Sequence, residues 1–136
     1  MINDITFRKI EQQHSITVPE GHSESALGAW YEDVRDKPLG DFTVGELCRA
    51  CRQELYVHYI VPVMIRQLRK HPLAGDLYDG ELLVSLRSVP AEYWAANKGQ
   101  AKDILTVVRS TSDCADSSLK DDIDKLQRGL SNVCGP

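Results

Sequence analysis

Three carboxylates stand close together in the run Gly75-Asp-Leu-Tyr-Asp-Gly-Glu81: Asp76, Asp79 and Glu81. Carboxylates at this spacing can share a divalent cation or divide the work of a general acid and a general base. Asp79 and Glu81 also fall where a helix is expected to begin, and there the helix dipole stabilises negative charge without any chemistry. Glu54 and His58 are one helical turn apart and could offer a metal two ligands. A dinuclear site would need the same from a second helix, usually as Glu-x-x-His. The other histidines, His14, His22 and His71, sit in expected loops or at a helix end. A structural hydrogen bond or ion pair is therefore the expectation for Glu54 and His58. Cys48-Arg-Ala-Cys51 has C-x-x-C spacing, but neither a second pair nor a preceding strand completes a zinc or redox site. Cys48 and Cys51 are expected to be buried as small apolar groups. No G-x-S-x-G, G-x-x-x-x-G-K or H-E-x-x-H occurs. The expectation is no catalytic residue, no cofactor and no metal. An enzyme using Asp76, Asp79 and Glu81 with a metal is the lesser alternative.

The elements that must position these residues read as helices. Thr43-Val-Gly-Glu46 is a capping box, with Phe42 and Leu47 spaced for a hydrophobic staple, so a helix is expected from Thr43 to about Gln53. Leu55 to Leu68 is apolar on nearly every side and predicts a central helix over about 55–70, kinked or restarted at Pro62. Arg69 and Lys70 suit its last turn, and His71 before Pro72 ends it. Further helices are expected from Asp79, from Pro90 with Ser88 or Val89 as cap, over Ala101–Arg109 after a break at 97–99, and from Ser117 or Ser118 onward. An earlier one is expected over Ser25–Val34, whereas residues 1–24 are hard to read, with a short strand or a helical turn near Phe7. The fold class expected is all-α, one domain over 1–136, a bundle of about six or seven helices. Pro38-Leu-Gly-Asp-Phe-Thr-Val-Gly-Glu-Leu47 is echoed by Pro72-Leu-Ala-Gly-Asp-Leu-Tyr-Asp-Gly-Glu-Leu82. The echo is read as one helix-entry geometry used twice rather than as a repeat.

Composition narrows the function class. The chain has 136 residues, 42% apolar and 26% charged, which is ordinary for a globular protein. No apolar run reaches the ~20 residues of a membrane span, and residues 1–15 hold no apolar core of a secretory signal. A cytoplasmic protein without membrane contact is expected, and in that compartment Cys48, Cys51, Cys114 and Cys134 do not suggest a disulfide framework. The net charge of −4 is unevenly spread: residues 43–71 carry five bases against two acids, and residues 72–96 four acids against one base. Arg49, Arg52, Arg66, Arg69 and Lys70 lack the density and interleaved aromatics of a nucleic-acid surface. The acidic blocks fit a basic partner or plain solvated helix faces.

The run KPLGDFTVGELCRACRQ, followed by YIVPVMIRQLRKHPLAGDLYDGELLVSL and Tyr93-Trp94, resembles the immunity proteins of contact-dependent growth inhibition (CDI) systems. The residues carrying the likeness are Pro38, Leu39, Phe42, Thr43, Leu47, Gln53, Pro62, Leu68, Pro72, Leu73, Asp79, Gly80, Leu82, Leu83 and Trp94. They span the best-supported stretch, 38–94, and are mostly turn and core positions.

The resemblance implies an all-α cytoplasmic protein that is not an enzyme. It would bind one cognate toxin domain, the C-terminal part of a large exported protein and often a nuclease, one-to-one, and neutralise it by stoichiometric occlusion of its active or substrate-binding surface. An acidic face would suit a basic nuclease, which nominates Asp76, Tyr78, Asp79, Glu81, Asp113, Asp116, Asp121 and Asp122 as toxin contacts. A helical adaptor with another partner is the alternative from a different class.

Overall fold

The computed structural model describes residues 4–16, 26–111 and 117–134. Among them are eight α-helices, two short 3-10 turns and no strand, so the all-α expectation holds. The chain divides into two compact units, Met1–Phe42 and Thr43–Pro136.

The first unit contains α1 (Phe7–Gln13), α2 (Ala26–Val34) and a 3-10 turn at Leu39–Asp41. The ambiguous Phe7 region is helical because Thr6 caps it, its hydroxyl accepting from the Lys9 N–H at 3.1 Å. Phe7 is fully buried, stacks on Tyr31 with ring centroids 5.2 Å apart and meets Phe42 edge-on at 5.3 Å. Beside them Glu11 and Arg35 form a buried ion pair, and the Tyr31 hydroxyl donates to Glu11 at 2.6 Å. Burial pushes the Glu11 carboxyl up, but Arg35 and Tyr31 outweigh it and hold the group below its ordinary value.

The second unit contains α3 (Val44–Arg52), α4 (Val57–Lys70), α5 (Glu81–Ser85), α6 (Ala91–Ala96), α7 (Lys98–Thr111) and α8 (Ser117–Cys134), with a 3-10 turn at Leu86–Ser88. Helix α3 packs on α4 and α5, α4 also on α5 and α7, and α8 on α5, α6 and α7. The core between them is aliphatic: Leu47, Ile60, Met64, Leu68, Leu82, Leu83, Leu86 and Ile104 are all fully buried. Each such side chain contributes roughly 2 kcal/mol by leaving water.

The capping box forms as expected: Thr43 N–H donates to Glu46 Oε1 at 2.8 Å, and Glu46 N–H to Thr43 Oγ1 at 3.2 Å. Pro62 lies inside α4, which ends at the expected His71. That helix is less enclosed than its composition suggests, because His58, Arg66, Arg69 and Lys70 form an exposed side. Its buried face is broad, with Ile60, Val61, Val63, Met64, Ile65 and Leu68. Three boundaries differ from expectation. Helix α5 begins at Glu81 behind a left-handed Gly80 cap, which leaves Asp79 in the preceding loop rather than in the first turn. Pro90 itself caps α6, since its extended backbone leaves Ala91 as the first helical residue. The break before α7 shrinks to Asn97, whose side-chain amide donates to the Tyr93 carbonyl at 2.9 Å while its own carbonyl accepts from Gln100 and Ala101.

Helix α3 ends in a Schellman motif: Leu55 N–H donates to the Ala50 carbonyl at 3.0 Å and Glu54 N–H to that of Cys51 at 2.9 Å. This places Glu54 at φ 54, a left-handed conformation that a side chain with a Cβ resists. Glu54→Gly is expected to stabilise the protein by about 1 kcal/mol. A urea midpoint that stays put or falls would show that no strain is stored there.

Candidate functional site

Residues 71–80 join α4 to α5, and 75–79 within them form a loop pinned from beneath. Leu73 accepts the Gly80 N–H at 2.8 Å, and Ala74 accepts the Leu82 N–H at 3.0 Å, closing its base. Gly80 caps α5 at φ 87, a conformation that glycine adopts freely. At Gly75 a Cβ would lie 1.8 Å from the Tyr78 carbonyl oxygen, so the loop can fold this tightly only on glycine.

The pin is Glu81. Its side chain is 1% exposed. One oxygen, Oε1, accepts the backbone N–H groups of Asp76 and Leu77, each at 2.9 Å. The other, Oε2, accepts from Arg52 Nη1 of α3 at 2.9 Å. Burial pushes the Glu81 carboxyl up, yet the Leu77 and Asp76 amides and Arg52 outweigh burial and hold it below the usual carboxylate value. Glu81 is therefore ionised at neutral pH and fully engaged inside the protein. Among the described residues nominated from sequence as partner contacts, it is the one whose carboxylate the fold turns inward. The reason is that Arg52 and two loop amides satisfy it there.

What the pin holds outward is mixed in character. Leu77 is 76% exposed and Tyr78 47% exposed, two of the three exposed large apolar side chains among the described residues. Asp76 and Asp79 flank them, both exposed and without an ion pair among the described residues. The Asp76 carboxylate rests against Gly45 in the first turn of α3, where a Cβ would approach it to 2.8 Å. Tyr78 borders a hollow of about 350 Å³ with Arg52, Ser85, Arg87 and Ser88. Burial, followed by the charges of Glu81 and Asp122, pushes the Tyr78 phenol up, which places Asp122 of α8 in its neighbourhood. Asp122 accepts from Arg87 at 3.0 Å, and Asp121 pairs with Lys125 one turn along α8 at 3.3 Å. Asp113 and Asp116 lie outside the described residues.

The other chemical candidates resolve into structural parts. Cys48 and Cys51 are buried, and Cys51 Sγ–H donates to the Ser85 carbonyl at 3.3 Å. Burial raises both thiols, Cys51 to about 12 with the help of neighbouring Cys48, so both stay protonated at neutral pH. Glu54 and His58 do not share a helix, because α3 ends at Arg52 and α4 begins at Val57. The His58 ring instead packs 5.0 Å from that of Tyr93. Among the described residues no group of three or more His, Cys, Asp or Glu side chains could hold a metal ion. Glu81 already accepts two loop amides and the Arg52 guanidinium, so the fold uses it as a structural acceptor rather than presenting it beside Asp76 and Asp79.

Sequence reading therefore located the loop but missed two of its parts. Leu77 is not marked by the sequence at all, because nothing local distinguishes an exposed leucine from a core one. Arg52 is 29 positions from Glu81, so only the fold brings them together.

Residues 10–104 match the family of CDI immunity proteins. No curated protein matches the chain. The family match takes in Arg52, Glu81 and the whole Gly75–Asp79 loop, and α8 lies beyond it. No helix among the described residues is long and apolar enough to cross a membrane. With more than two thirds of its length inside the match, the chain belongs to the CDI immunity proteins, a family whose members neutralise a toxin partner.

Proposed function

We propose that this chain binds one cognate CDI toxin domain, a nuclease, with one-to-one stoichiometry in the cytoplasm and occludes its active or substrate-binding surface. The observation carrying this reading is the loop at Gly75–Asp79: an exposed leucine and tyrosine between two unpaired carboxylates, held from beneath by the buried Glu81 carboxylate and its pairing with the half-exposed Arg52. Apolar side chains of this size are normally buried, and a preorganised loop loses little entropy on binding. Aromatic anchors ringed by charge are what a protein partner uses, whereas a catalyst would need converging reactive groups that the loop does not supply. Asp76, Tyr78 and Asp79 lie at the centre of the proposed contact, with Asp121 and Asp122 on α8 as further acidic contacts. A nuclease surface shaped for nucleic acid is basic, so acids opposite it speed encounter.

The experiment is titration of the purified chain with the C-terminal domain of the large exported protein encoded just upstream. Tight one-to-one binding with loss of toxin activity is expected. Asp76→Lys combined with Asp79→Lys should slow association by about tenfold or more at low salt, with the difference shrinking as salt rises. An association rate indifferent to both charge reversal and salt would refute the electrostatic part of the proposal.

A further inference from the structure

A groove of about 580 Å³ borders the same loop, lined among others by Lys70, His71, Leu73, Asp79, Ser110 and Thr111. Two features of its lining favour positive charge. First, its walls include the C-terminal residues of α4 and α7, each a helix of 14 residues. The last turn of a helix presents carbonyl groups and carries the equivalent of roughly half a negative charge. Second, the Asp79 carboxylate has neither a hydrogen bond nor an ion pair among the described residues. Among the described residues Lys70 is the one full cation in the lining, and it already lies on the last turn of α4, where it matches that helix end. Two helix ends and Asp79 together exceed it. Apolar wall atoms such as those of Leu73, which is half-buried, suit the aliphatic stem of a long side chain whose charged head reaches the carboxylate.

We propose that this groove receives a lysine or arginine side chain of the toxin domain, next to the contact made by Leu77 and Tyr78. The proposal rests on the toxin-binding reading above and adds to it the chemistry of the partner at one subsite. The groove would fix the orientation of the toxin on the loop: the apolar tip supplies burial, and the cation supplies register.

Affinity for the cognate toxin domain, measured across four variants, tests this. Ser110 is exposed and its hydroxyl bonds only the Val107 carbonyl of its own helix, at 2.7 Å. Ser110→Arg places a guanidinium at the end of α7, where the dipole favours it, and should fill the groove without unfolding the protein. It is expected to weaken binding about tenfold or more, while Ser110→Ala stays within about twofold of wild type. Asp79→Asn should weaken binding about fivefold and flatten its salt dependence. Thermal melting of each variant checks the fold. If Ser110→Arg and Asp79→Asn both bind like wild type while a Leu77→Ala/Tyr78→Ala variant is weakened, the groove proposal is overturned and the loop reading stands. If the loop variant also binds like wild type, both are overturned.

Discussion

Glu81→Ala should lower unfolding stability by about 2–4 kcal/mol, a large effect for one surface-proximal loop. The substitution removes the acceptor of two backbone N–H groups and takes the carboxylate from Arg52, which keeps only a long bond to Ser85 Oγ at 3.4 Å. The loop amides carry most of the penalty, because Arg52 is 41% exposed and water can resolvate it. Glu81→Gln keeps the shape and one accepting oxygen, so it should lose less. The same group predicts a pH dependence. A carboxyl whose folded pKa lies below its unfolded value of 4.5 stabilises the protein fully above about pH 4.5. That contribution disappears as the pH falls through the folded value. Wild type should therefore lose stability on acidification below about pH 4.5, and Glu81→Gln should lose it less steeply. Glu11, also held low, keeps part of the slope in both proteins. Urea unfolding between pH 3 and pH 7 reads both effects, and parallel curves for the two proteins would show that Glu81 is not the pin.

Leu77→Ala combined with Tyr78→Ala should have the opposite signature, leaving stability within about 0.5 kcal/mol and cutting toxin affinity about 30-fold or more. Both side chains are exposed, so the folded protein gains little from them. A bound partner would bury them, and a central aromatic or aliphatic anchor is worth about 2 kcal/mol or more when truncated. Calorimetric titration beside thermal melting separates the two quantities. Wild-type affinity in the double variant would move the toxin contact away from this loop. A large drop in melting temperature would make the pair part of the fold instead.

The contrast between Glu81 and Leu77 shows what the sequence can and cannot carry. Local signals were legible: the Thr43–Glu46 box involves four consecutive residues and forms as spaced, and His71 before Pro72 ends α4. The acidic turn with Tyr78 could be singled out because charge and an aromatic residue coincide there. Inward or outward direction could not be read, because it depends on residues far away in the chain. Glu81 turns inward on account of Arg52, while Leu77 is left outside by a loop that Gly75 and Glu81 tighten. Helix α1 was obscure for the same reason, its anchor Phe7 finding its ring partners at Tyr31 and Phe42. The echo of Pro38–Leu47 in Pro72–Leu82 has a physical basis narrower than shared geometry. Both glutamates reach back to backbone N–H groups of the preceding turn, Glu46 to Thr43 and Glu81 to Asp76 and Leu77. Their caps differ, one an extended threonine and the other a left-handed glycine.

The most direct measurement is the growth of cells producing the proposed cognate toxin domain, sought in a large exported protein encoded beside this chain, with and without this chain. Growth arrest relieved by the wild-type chain is the expected result. Continued arrest despite a folded, abundant chain would contradict neutralisation of that toxin.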